Sequence, residues 1–213
     1  MKIALVGATG FVGAAVLTEA VGRGHEVTAL ARNPEKVAAL PGATATRADV
    51  LNDTDLAEKL RGHDVVIATY NPGWTNPDIR AEHLAGSQAI TNATREADVP
   101  RLLMVGGAGT SQSAPGVHLV DSDTFPAAYK AGALGAKDAA YWIEGETQTD
   151  WVFVLPAVML VPGERTGKYR TGGPGPVTND KGESTISVPD FAVALLDEAE
   201  TPRHHRARIT TGY

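Results

Sequence analysis

A short apolar run, Lys2-Ile3-Ala4-Leu5-Val6, stops at Gly7, and two more glycines, Gly10 and Gly13, follow at three-residue spacing. A helix-like pattern begins at once. Strand, glycine turn and helix in immediate succession constrain this chain more than any other feature it has. Within Gly7-Ala8-Thr9-Gly10-Phe11-Val12-Gly13, the first glycine permits a tight turn and the second lets backbone approach an anion. The third lets the helix pack closely on the strand, while the free N–H groups and positive dipole of the helix N-terminus face the same anion. The arrangement predicts a phosphate cradle for a dinucleotide.

The rest of the chain repeats that alternation. Strand-like runs fall at Ile3–Val6, His25–Leu30, Ala43–Arg47, Asp64–Ala68, Leu102–Val105 and Trp151–Leu155. Helix-like runs lie between them, at Phe11–Gly22, Asp53–Leu60, Pro77–Ala97 and around Ala127–Gly145. Short apolar strands separated by helices imply β-α-β crossovers and a parallel sheet covered on both faces. The expected fold is therefore a doubly wound, three-layer α/β/α domain of Rossmann type, spanning residues 1–213 as one unit. Asn76-Pro77 reads as an Asn cap with Pro in the first turn, and Asp53 can cap the preceding helix. Two long irregular stretches, 106–126 and 162–183, follow strand C-termini, where open α/β sheets bind ligands; both are expected on the substrate side.

A length of 213 residues suits one such domain. The net charge of −6 argues against a nucleic-acid surface. The absence of cysteine excludes disulfides, thiolate catalysis and cysteine-ligated metals. His204-His205 lack Cys or carboxylate neighbours at ligand spacing, so no metal site is expected. No apolar run approaches the roughly 18–20 residues of a membrane span. Glycines interrupt the apolar start, which is accounted for by a buried strand rather than a signal peptide. A cytoplasmic protein, monomeric or homodimeric, is expected.

The spacing Gly-x-x-Gly-x-x-Gly in Val6–Gly13 resembles the short-chain dehydrogenase/reductase superfamily in its atypical branches, the NmrA-like and biliverdin-IXβ-reductase/flavin-reductase-like members. That resemblance implies an NAD(P)H-binding reductase and assigns further positions. Asp49-Val50 would edge the adenine, although Asp49, Asn52 or Asp53 could equally cap a helix. Ala68-Thr69-Tyr70 would run beneath the nicotinamide ribose, with Asn71-Pro72-Gly73-Trp74 continuing toward the substrate. Gly106 and Gly107 stand where a serine pair is often found. Pro156-Ala157-Val158-Met159 would hold the nicotinamide carboxamide through backbone groups.

Cofactor choice rests on the end of the second strand, where NAD-selective proteins carry an acid. Here Arg32-Asn33 stand instead, and a guanidinium can grip a 2′-phosphate bidentately. NADP(H) is expected over NAD(H).

The superfamily's catalytic pattern is a Ser or Thr after the fifth strand and Tyr-x-x-x-Lys on the next helix. Lys137 suits the lysine position, as a ribose anchor or as a solvated helix lysine, but Ala133 stands where the tyrosine belongs. Tyr129 lies two turns away, and Tyr141 follows the lysine in the wrong order. Ser111 and His118 join Lys137 and Tyr129 as catalytic candidates, His118 because its ordinary pKa suits a proton donor. Asn71, Trp74, Thr110, His118 and Phe125 are the candidates for substrate contact. A ketone needs a proton donor beside the hydride acceptor, whereas a flavin, quinone or related conjugated ring needs chiefly binding and orientation. The sequence thus points to NADPH-dependent hydride transfer to a conjugated small molecule. The alternatives are a non-catalytic redox sensor or a biosynthetic isomerase or cyclase on the same fold.

Overall fold

In a computed structural model describing residues 1–213, the elements run β1 (Lys2–Val6), α1 (Phe11–Gly22), β2 (Glu26–Ala31), β3 (Ala43–Arg47), α2 (Leu56–Leu60), β4 (Val65–Ala68), α3 (Ile79–Glu96) and β5 (Leu102–Val105). There follow β6 (Gln112–Ala114), β7 (Val117–His118), α4 (Ala127–Ile143), β8 (Trp151–Leu155), β9 (Met159–Val161), β10 (Arg170–Gly172), β11 (Thr185–Ser187), α5 (Val188–Glu200) and β12 (Ala207–Gly212). Eight strands form one sheet in the order β10-β12-β8-β5-β4-β1-β2-β3. Every pair in it is parallel except the edge pair β10–β12. The order reverses at β1, so the crevice above β1 and β4 is the topological switch point where such sheets bind ligands.

Strand alternation divides the core. Ile3 and Leu5 of β1 face α1 and α5, packing with Val16, Leu17, Phe191 and Leu195. Ala4 and Val6 face the other layer, with Ile90 of α3 and Ala140 and Ile143 of α4. The expected three-layer α/β architecture is what the chain adopts.

Local starts differ from expectation. Asn76 does not cap α3, which begins at Ile79 with Asp78 at its cap position. The Asn76 side chain closes a turn instead, accepting from the Asp78 N–H at 2.9 Å and donating to Glu82 at 2.7 Å. Asp53 likewise leaves the cap of α2 to Asp55. Its carboxylate accepts from the Asp49 N–H at 2.8 Å and pairs with Lys59 at 2.7 Å. In both cases a local side-chain bond outcompetes the helix start. Only α5 has a side-chain cap among the α-helices, with Ser187 Oγ accepting from the Asp190 N–H at 3.1 Å.

The two long connections are also more ordered than their composition suggests. Residues 106–126 contain the β6–β7 hairpin and two 3-10 turns, at Ala108–Thr110 and Leu119–Asp121. Residues 162–169 are pinned from two sides. Glu19 of α1 accepts from Arg165 at 2.7 and 2.8 Å. Asp190 of α5 accepts from the N–H groups of Thr166 and Gly167 at 2.8 and 2.7 Å, and from the hydroxyls of Thr166 and Tyr213 at 2.6 and 2.7 Å. Burial pushes the Asp190 carboxyl up, but these donors outweigh it and hold it below the usual carboxylate range.

Candidate cofactor and acceptor site

The glycine turn is built so that backbone, not side chain, faces the crevice. Gly7 has φ +86°, a left-handed conformation that favours glycine, and its N–H donates to the Leu30 carbonyl at 3.0 Å. A Cβ on Gly13 would overlap the Gly7 carbonyl oxygen, so this position has no room for a side chain. Gly10 differs: its backbone is ordinarily extended (φ −77°, ψ 171°), and an added Cβ would meet only the Gly7 carbonyl, at 3.3 Å. The protein itself therefore makes little demand for glycine there.

Helix α1 starts with no side-chain cap and no acid in its first turn. The N–H groups of Thr9, Phe11, Val12 and Gly13 make no backbone hydrogen bond. Free donors, helix dipole and an open approach over exposed Gly10 fit a pyrophosphate. Ala8 is buried beneath the turn, while Thr9 and Phe11 are exposed beside it. Thr69, expected to touch cofactor, has its hydroxyl committed below the turn instead, donating to the Val6 and Gly7 carbonyls at 3.0 and 3.2 Å. It fixes the loop's height above β4, where Ala68 is fully buried.

At the adenosine end, Arg32 and Asn33 are exposed, and neither side chain makes an internal hydrogen bond. The Asp49 carboxylate accepts from the Leu51 N–H at 3.3 Å and from Asn52 at 2.9 Å, with buried Val50 beneath. Tyr70 turns away from the crevice: its ring lies against Gly86 and its hydroxyl donates to the Glu82 carbonyl at 3.3 Å. Burial pushes that phenol up to about 12, so it stays neutral.

At the corner after β8, the N–H groups of Val158 and Met159 are taken by Ser184, at 3.1 and 2.9 Å. Pro156 has none to offer. Ala157 is the one residue of this corner whose N–H makes no internal hydrogen bond, and it is only 1 % exposed. Met159 presents its side chain, 56 % exposed, to a groove of about 420 Å³ that Val158, Pro176, Thr178 and Thr185 also line. Gly106 is glycine for packing, because a Cβ there would overlap the Phe153 ring. Gly107 is open, with only the Ala136 methyl near.

The catalytic candidates do not converge. Ser111 and Thr110 are buried (0 and 1 % exposed), their hydroxyls without a partner, so neither reaches the crevice. His118 is equally buried. One ring nitrogen bonds the Thr110 carbonyl and the other the Tyr141 hydroxyl at 2.7 Å, which ties the hairpin to α4. The Lys137 ammonium is held by both oxygens of Asp121. Hydrogen bonding from Lys137 in turn keeps the Asp121 carboxyl below its ordinary range. Ala133 is buried and packs under the Ala108–Thr110 turn, where a Cβ on Gly109 would lie 3.0 Å from its methyl. Phe125 covers the same turn.

Exposed aromatics gather instead. Trp74 and Tyr129 meet edge to face, 5.4 Å between centroids and 83° between planes, at 58 and 55 % exposure. Gly132 allows this contact, since a Cβ there would come 2.7 Å from the Trp74 ring. Asn71, exposed beside them, closes the preceding turn by accepting from the Gly73 N–H at 2.7 Å.

Two features escaped sequence reasoning: Asp121 as the Lys137 partner, and the unpaired Arg47 at the end of β3. His204 and His205 do have carboxylate partners, Glu198 at 2.8 Å from the end of α5 six residues earlier and Asp150 at 2.9 Å from a distant segment. Arg101 pairs with both of those carboxylates at 2.6 Å, and the cluster sits at the opposite end of the sheet from the crevice.

Residues 7–199 match the model of a family described as NAD(P)H-binding. The uncharacterized protein YwnB of Bacillus subtilis is 36 % identical over 213 residues, covering 99 % of this chain and 97 % of that one. A proposed epimerase from Bacteroides thetaiotaomicron superposes with a TM-score of 0.92 at 41 % identity, over 100 % of this chain and 96 % of its own. A proposed NADH-flavin reductase from Streptococcus pneumoniae gives 0.88 at 34 %, over 100 % and 99 %. No helix is long and apolar enough to cross a membrane.

Proposed function

Because the chain belongs to the NAD(P)H-binding family, we propose that it is an NADPH-dependent reductase delivering hydride to a conjugated small-molecule acceptor. The observation that carries this is the pairing of an intact dinucleotide cradle with Ala133, buried where the superfamily pattern has its tyrosine, and a lysine already held by Asp121. A nicotinamide cofactor, when bound, would supply the hydride and leave in its oxidised form. The chain's own residues bind and orient. The N–H groups of Phe11, Val12 and Gly13 hold the pyrophosphate, and Arg32 the 2′-phosphate.

Trp74 and Tyr129 offer an aromatic wall to a planar ring, and no buried acid or base is positioned to exchange a proton with it. A ring such as a flavin or quinone spreads the incoming negative charge over its own heteroatoms and takes a proton from water. The likeness to a protein proposed as an NADH-flavin reductase agrees with this reading. Epimerisation through a transient ketone, the activity proposed for the Bacteroides relative, would need a base for the alcohol proton. This chain offers none at position 133.

The test is to follow NADPH oxidation by the purified protein with flavins, quinones and aldehydes offered in turn. Oxidation with a flavin or quinone supports the proposal. Tight NADPH binding with no oxidation by any of them overturns it in favour of a cofactor-sensing protein.

A further inference from the structure

The end of β3 carries a second unpaired guanidinium beside the first. Ala31, last in β2, is in register with Arg47, last in β3, and the Ala48 N–H donates to the Ala31 carbonyl at 2.9 Å. Arg47 therefore stands beside the point where β2 turns into Arg32. Both arginines are exposed. Of the ten other guanidinium groups, all but that of Arg203 are bound internally. Arg23, Arg101 and Arg165 hold carboxylates, and Arg170 and Arg206 hold carbonyl oxygens. Arg32 and Arg47 hold neither, although acids are close. The Arg47 charge helps keep Asp53 ionised, yet Asp53 is hydrogen-bonded to Lys59 and the Asp49 N–H. Asp49 is engaged by Asn52 and Leu51.

Two exposed guanidinium groups at neighbouring strand ends, with the nearby acids already bonded, can both be offered to one anion. We propose that Arg47 acts with Arg32 as a two-guanidinium clamp for the 2′-phosphate of NADP(H), making Arg47 a specificity-determining residue. This rests on the proposed preference for NADPH. A phosphate monoester presents three acceptor oxygens and close to two negative charges, which suits two planar forks better than one. The 2′-hydroxyl of NADH offers neither charge nor enough acceptors to engage both.

The experiment is calorimetric titration of NADPH, NADH and adenosine 2′,5′-bisphosphate into the wild type, Arg32→Ala, Arg47→Ala and Arg47→Lys. The bisphosphate reads the adenosine end without nicotinamide or turnover. Arg47→Ala should weaken NADPH and the bisphosphate roughly tenfold, as for loss of a charge-assisted contact, and leave NADH within about twofold. Arg47→Lys should recover part of the loss. If Arg47→Ala changes neither ligand while Arg32→Ala weakens both, the clamp is overturned and the NADPH preference stands on Arg32 alone. Equal losses for NADPH and NADH in Arg47→Ala also overturn it. A wild type that binds the two dinucleotides equally overturns the preference itself.

Discussion

Lys137 donates to both carboxylate oxygens of Asp121, at 2.7 and 2.6 Å, one helical turn from Ala133. This pair joins the 3-10 turn ending at Asp121 to the outer face of α4, and it uses the lysine that the superfamily pattern would direct at a ribose. In this structure the pair ties residues 106–121 to the helix. Lys137→Met should therefore alter NADPH affinity less than about threefold and lower kcat less than tenfold. Stability should fall by about 1 kcal/mol or less, as for a largely solvated ion pair. Titration calorimetry and urea unfolding check both. A tenfold or greater loss of NADPH affinity would show that the lysine leaves Asp121 to engage the cofactor.

Gly10 offers the cleanest test of the cradle. Its φ of −77° suits any residue, and a Cβ there meets only one protein atom, so Gly10→Val should fold normally. The valine would occupy the approach to the free N–H groups of α1, and dinucleotide binding should be abolished while circular dichroism stays native. Retained binding would place the phosphates elsewhere. Gly13→Ala is a poorer probe, because its Cβ would collide with the Gly7 carbonyl and disturb the fold itself.

Trp74→Ala should raise KM for a flavin or quinone about threefold to tenfold, the range expected for one aromatic contact. NADPH affinity should stay unchanged, since Trp74 borders Gly132 and Tyr129 rather than the glycine turn. Initial-rate kinetics at saturating NADPH decide it. An unchanged acceptor KM would remove the aromatic wall from the account.

A pH dependence follows from His83, buried between Tyr70 and α4 with its Nδ1 unpartnered. Burial lowers its pKa to about 4 from an ordinary 6.5. The fold therefore favours the neutral ring. Its contribution is fully present above pH 6.5 and is lost as pH falls toward 4, by about 3 kcal/mol in all. Urea unfolding of the wild type across that window should show the decline. His83→Phe should flatten it, leaving the carboxylates to act at lower pH. An equal slope in the variant would assign the acid sensitivity elsewhere.

Much of the fold could be read from the chain because its period is local. Ile3 and Leu5 against Ala4 and Val6 already encode a two-faced strand, and Gly7, Gly10 and Gly13 encode the turn above it. What escaped was set by contacts between distant segments. Nothing near Lys137 in sequence announces Asp121 sixteen residues earlier as its counter-ion. Nothing in Leu119 or Val117 says that His118 will be sealed against Tyr141. Nothing around Gly106 in sequence says that Phe153 of the neighbouring strand excludes a side chain there. Arg47 could have been found by aligning the ends of the second and third strands, where its register with Ala31 puts it beside Arg32.

The central claim is hydride transfer without a tyrosine acid, and the most direct measurement compares acceptors in the wild type and in Tyr129→Phe. NADPH oxidation should proceed with a flavin or quinone and be slight with a simple ketone. Tyr129→Phe, which keeps the ring against Trp74 and removes only the hydroxyl, should lower kcat less than about tenfold, because a true general acid is worth roughly 10²–10⁴. Efficient ketone reduction, or a collapse of activity in Tyr129→Phe, would contradict the account and make Tyr129 the proton donor.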